Sequence, residues 1–77
     1  MPSTPRLPKD LSGDDVQRAL EKAGFARTSQ KGSHRKLKHA DGRAVMVPMH
    51  PEVATGTLRS ILRQAKLSLE DFLKLLE

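Results

Sequence analysis

Apolar side chains recur at helical spacing in three places along this chain and alternate in a fourth, which limits the fold more than any other feature. Val16, Ala19, Leu20 and Ala23 fall at i, i+3, i+4 and i+7, one face of a helix. Ser12 is placed to cap it, Leu11 and Val16 to staple its entry, and Asp14 and Asp15 to meet the positive end of its dipole. Gly24 then permits the left-handed turn that ends it. The same spacing returns at Leu58, Ile61, Leu62 and Ala65, with Thr55 or Thr57 as the expected cap. A third, shorter helix is expected after Ser68, with Leu67 and Phe72 as staple, Asp71 as the capping-box acid, and Leu69, Phe72, Leu73 and Leu76 as its stripe.

Between the first two helices the period changes to two. Gly32 and the run Ala40-Asp41-Gly42 read as turns, and Val45 and Val47 alternate with Ala44 and Met46. The expected strands are Phe25 to Gln30, Ser33 to His39, and Arg43 to Pro48, the last ended by Pro48 and Pro51. The fold class is α+β, with a three-stranded antiparallel sheet, helices on one face, and a short C-terminal helix. Residues 1–10 carry Pro2, Pro5 and Pro8 with few apolar groups and are expected to form a flexible tail; residues 11–77 form the one domain.

One sheet face is therefore free of helices. Along the central strand Leu37 marks the helix side, so Arg35 and His39 point to that side or its rim, and His34, Lys36 and Lys38 share the open face. The 77 residues include 14 Lys and Arg against 9 Asp and Glu, a net charge of +5 that suits a polyanion or an acidic partner. With no Cys, thiolate metal sites and nucleophiles are excluded. The three His, at 34, 39 and 50, do not fall in a metal-binding pattern, and neither a Gly-x-Ser-x-Gly elbow nor a phosphate-binding loop is present. No metal and no small-molecule cofactor is expected. No stretch approaches the roughly 20 apolar residues that cross a bilayer, and no apolar signal segment opens the sequence. The expected location is the cytoplasm, with no membrane partner.

What remains is a Gly32-Ser33-His34 turn leading into a strand of cations, Lys31, Arg35, Lys36 and Lys38. That chemistry suits RNA cleavage without a metal. A base takes the 2′-hydroxyl proton, an acid protonates the leaving 5′-oxygen, and cations stabilise the phosphorane; imidazole serves either proton step near neutrality.

At these residues the chain resembles a known family. Ala23-Gly24-Phe25, Gln30-Lys31-Gly32-Ser33-His34, His39 with Asp41-Gly42, Val47-Pro48-Met49-His50, Gly56-Thr57-Leu58-Arg59, Ile61-Leu62 and Gln64-Ala65, from about Ser12 to Phe72, are similar to the HicA family of mRNA interferase toxins. The resemblance implies a double-stranded-RNA-binding-like α-β-β-β-α fold, mRNA as substrate, His34 as the catalytic residue of an endoribonuclease, and a HicB-type antitoxin over the site. Lys31, Ser33, Arg35, Lys36, Lys38 and Arg59 are the expected RNA-binding residues. The chain departs from the family pattern at Leu37, often aromatic; at Ala54-Thr55, without the usual basic residue; and at Lys66, where many members have Gly, so the second helix is expected to run on or to be capped differently.

Each residue also has a plainer reading. His34 alone is a surface imidazole in a turn, His39 a polar residue beside a turn, and the lysines a solvated strand. His50, between Pro48 and Pro51, is either a second proton-transfer group or a strand-end residue making a structural hydrogen bond, and the structural role is the expected one. Two further functions compete with the toxin: a non-catalytic RNA-binding module of the same fold, and a protein-binding domain with a basic face.

Overall fold

The Ser12 hydroxyl accepts the backbone N–H of Asp15, and the Asp15 carboxylate accepts the backbone N–H of Ser12, both at 3.1 Å. This reciprocal cap opens helix α1, Gly13–Lys22, in a computed structural model that describes residues 10–77. The expected tail over residues 1–10 thus lies, apart from Asp10, outside the described residues. Strands β1 (Phe25–Lys31), β2 (His34–His39) and β3 (Ala44–Pro48) follow, then helices α2 (Thr55–Ala65) and α3 (Leu69–Leu75). The strands form one antiparallel sheet in the order β1-β2-β3. This is the expected α-β-β-β-α arrangement with its short extra helix.

The helices bury their stripes against one sheet face. Val16, Ala19 and Leu20 of α1, Leu58, Ile61, Leu62 and Ala65 of α2, and Phe72 of α3 meet Phe25, Leu37, Val45 and Val47 of the sheet. Val53, in the loop before α2, completes this core, although a single Val in a polar loop carries no periodic signal. Along α3 the packed side chains are Leu69, Phe72, Leu75 and Leu76, so Leu75 takes the place expected for Leu73. Ser68 accepts the N–H of Asp71 at 3.0 Å, the one half of that expected box found among the described residues.

The ends of α2 differ from expectation. Its cap position is Ala54, with no side-chain hydrogen bond, and neither Thr55 nor Thr57 performs that role. The helix stops after Ala65 because Lys66 adopts the left-handed conformation (φ 55°, ψ 40°) that a glycine would take without strain. Gln64, near that end, donates its side-chain amide to Ser60 and uses its carbonyl oxygen to accept the backbone N–H of Met46 at 3.2 Å. The outer edge of β3 is thereby tied to α2 instead of offering a free donor.

Arg43 joins three elements. Its guanidinium pairs with Asp41, lies 5.1 Å from the centre of the Phe25 ring, and donates to the carbonyl of Ala65 at the negative end of α2.

Candidate nucleic-acid interface

Alternation along β2 places Arg35, Leu37 and His39 against the helices and His34, Lys36 and Lys38 on the opposite face, as expected. Leu37 pairs with buried Val45, which fixes the helix side, and Lys36 pairs with Met46, which is 41% exposed. The open face thus carries a large apolar side chain, Met46, among its cations.

A bulge in β1 decides which cation accompanies His34. The register slips between Arg27 and Ser29, leaving Thr28 as an extra residue. Without it, Lys31 would lie on the same side as Phe25; with it the parity reverses and Lys31 is paired with His34. Gly32 supplies the positive φ of 59° at the turn between them. His34, Lys31, Ser33 and Lys38 are all exposed, and Lys36 is half-buried.

Two residues expected to bind RNA lie elsewhere. Arg35 is on the helix side with its side chain only 18% exposed. It donates to Gln17 of α1 and to Gln30 of β1 and lies 3.9 Å from Asp14, a clasp between sheet and helix. Arg59 is exposed on α2, in the helical layer.

His39 and His50 part company in the structure. The His39 ring is held: it packs edge-on against Phe25, accepts the Asp41 backbone N–H at 3.1 Å, and lies against Gly24, where a Cβ would come within 2.7 Å of Nε2. His50 is exposed, and its ring centroid lies 6.4 Å from that of His34, with the planes at 67°. Its backbone carbonyl accepts a hydrogen bond from the Gly13 N–H.

The backbone explains how the two rings meet. Pro48 lies opposite His34 and has no N–H, yet the next residue, Met49, donates to the Ser33 carbonyl at 2.6 Å and carries the pairing past the proline. The Gly13 N–H then donates to the His50 carbonyl at 2.9 Å, and Val53 N–H to Leu11 at 2.7 Å. Gly13 is required for this approach, because a Cβ there would collide with the Pro48 carbonyl and come within 2.8 Å of the Met49 Cα. A glycine at the start of a well-capped helix gives no sequence signal of such a role.

Among the described residues no three His, Asp or Glu side chains gather as metal ligands, and no helix is long and apolar enough to cross a membrane. Two carboxylates with structural roles are held in their charged form. The backbone N–H of Ser12, with help from Arg18, holds Asp15 below the usual carboxylate range, and the backbone N–H of Arg43 does the same for Asp41.

Fold and surface together define a small α+β domain with one helix-free sheet face, basic and headed by an exposed imidazole. A model of the HicA toxin of bacterial toxin-antitoxin systems matches residues 13–67, from the start of α1 to just beyond α2. The chain belongs to that family of toxins, which act as one half of a pair with an antitoxin. No curated protein matches the chain.

Proposed function

We propose that the chain is an endoribonuclease that cleaves mRNA without a metal, with His34 as catalytic acid or base and Lys31, Lys36 and Lys38 as phosphate contacts. The observation that carries this reading is the placement of exposed His34 on the helix-free sheet face, paired with Lys31 and sharing that face with Lys36 and Lys38, in a member of the HicA toxin family. An imidazole can move the 2′-hydroxyl proton or the proton of the leaving 5′-oxygen, and flanking ammonium groups offset the charge that grows on the phosphorane. Ser33 brings its exposed hydroxyl to the same turn, and Arg59 extends the positive charge along α2. Arg35 contributes by holding β2 against α1.

A HicB-type antitoxin would inhibit by covering the same face. An acidic protein surface is drawn to it as a phosphate backbone is, so occlusion needs no change of conformation. Diethyl pyrocarbonate should then modify His34 in the free chain and not in the complex; equal reactivity in both would place the antitoxin elsewhere.

The reaction itself is tested by incubating the purified chain with an mRNA transcript in excess chelator. Internal breaks are expected. A chain that retards the transcript on a gel and never cuts it is a non-catalytic RNA-binding module. A chain that does neither is a protein-binding domain.

A further inference from the structure

We infer that His50 is the second proton-transfer group of the cleavage reaction, acting with His34 across a single scissile phosphodiester. The inference rests on the endoribonuclease reading and adds the partner that one imidazole lacks. Rings with centroids 6.4 Å apart are too distant to hydrogen-bond each other. They are close enough for each to reach, at about 2.6–3.2 Å, one of two oxygens on opposite sides of the same phosphorus.

Neither ring serves the fold. His39 shows what a structural imidazole looks like in this protein, packed on Phe25 and bonded to the Asp41 turn, whereas His34 and His50 are exposed. The His50 backbone is nevertheless fixed, through its own carbonyl to Gly13 and through the flanking bonds of Met49 and Val53. A held backbone keeps the ring near His34, and exposure leaves its nitrogens available for proton transfer. By strand pairing and sequence, the charged groups that flank the pair are Lys31 across from His34, Arg35 next to it and Lys36 two residues along β2, Glu52 two residues beyond His50, and Asp14 next to the Gly13 that bonds the His50 carbonyl.

The step balances with these two groups alone. One imidazole, neutral, accepts the 2′-hydroxyl proton as the 2′-oxygen forms its bond to phosphorus. The other, protonated, gives its proton to the 5′-oxygen as the P–O5′ bond breaks. The products are a 2′,3′-cyclic phosphate and a 5′-hydroxyl, and proton exchange with water restores the pair.

The test compares the native chain with His34→Ala, His50→Ala and His50→Gln on one transcript, at saturating protein, from about pH 5 to pH 9, a range that covers the roughly pH 5–8 window in which an ordinary imidazole changes charge. RNA affinity and circular dichroism are measured for each. The native rate should follow a bell in pH and the products should carry cyclic phosphate ends. Both His50 variants should fold, bind RNA within about twofold of the native chain, cleave at least about 100-fold more slowly, and lose one limb of the bell. If His34→Ala is inactive but the His50 variants cleave at the native rate with both limbs, the inference fails and the endoribonuclease reading stands. The inference also fails if they are slower only through weaker binding, with both limbs kept. A native chain that leaves RNA intact overturns the endoribonuclease reading, and the inference with it.

Discussion

The backbone N–H of Gly13 and the carbonyl of His50 are joined at 2.9 Å, so the first turn of α1 holds the segment that carries an imidazole beside His34. Gly13→Ala places a methyl group against Pro48 and Met49, where neither backbone can yield without moving. The expected cost is about 1–3 kcal/mol, the usual range for a forced fit in a packed site. Urea denaturation measures it, and a variant as stable as the native chain would show that the contact is soft. RNA cleavage should fall further than the stability loss explains, since the displaced segment includes His50.

Lys66→Gly should stabilise the protein by about 0.5–1 kcal/mol, because Lys66 caps α2 in a left-handed conformation that costs an L-residue with a Cβ about 1–2 kcal/mol and a glycine little, less the extra backbone entropy of glycine in the unfolded chain. A raised urea midpoint with an unchanged slope is the expected result. A lower midpoint would mean that the lysine side chain contributes more than its backbone strain costs.

Acid should weaken the fold through two carboxylates. Asp15 and Asp41 are both held below the ordinary aspartate range by hydrogen bonds from backbone N–H groups. A depressed folded-state value means that their stabilisation is complete above the ordinary aspartate pKa of about 3.9 and is lost as pH falls through the lower folded value. Asp15→Asn and Asp41→Asn should each flatten the fall in melting temperature over that acid range. A native acid limb retained in both variants would assign it to other groups.

Much of the architecture was legible in the sequence because each helix carries its own apolar period and its own local signals. Ser12 and Ser68 cap the helices expected of them, and Leu37 sorts the faces of β2. The features that were not legible depend on partners distant in sequence. Nothing local distinguishes Ala54 from Thr55 or Thr57 as a cap, and Val53 enters the core from a loop whose backbone is bonded to distant Leu11. Arg35 reads as one more cation in a basic strand until Gln17, 18 residues away, is brought beside it. The setting of His50 depends on distant partners in the same way: Pro48 breaks the alternation, and the bonds that carry pairing beyond it involve Ser33 and Gly13. The bulge at Thr28, which turns Lys31 to the side of His34, likewise has no signature in Arg27-Thr28-Ser29.

Lys36 and Lys38 lie on the helix-free face with His34. Replacing both with Gln should weaken RNA binding and flatten its dependence on salt, each lost phosphate contact removing about 0.7 from the logarithmic slope for a single strand. Binding measured across a salt series checks this. An unchanged slope would return the two lysines to the status of a solvated strand.

As the proposed catalytic group, His34 performs chemistry on RNA and is dispensable to the fold, since its ring is exposed on the open face. The most direct measurement is the single-turnover rate of transcript cleavage in excess chelator by His34→Ala beside the native chain, with matched circular dichroism spectra and RNA affinities. Native folding, near-native binding, and a rate reduced by about 100-fold or more are expected. Cleavage by His34→Ala at the native rate would contradict it.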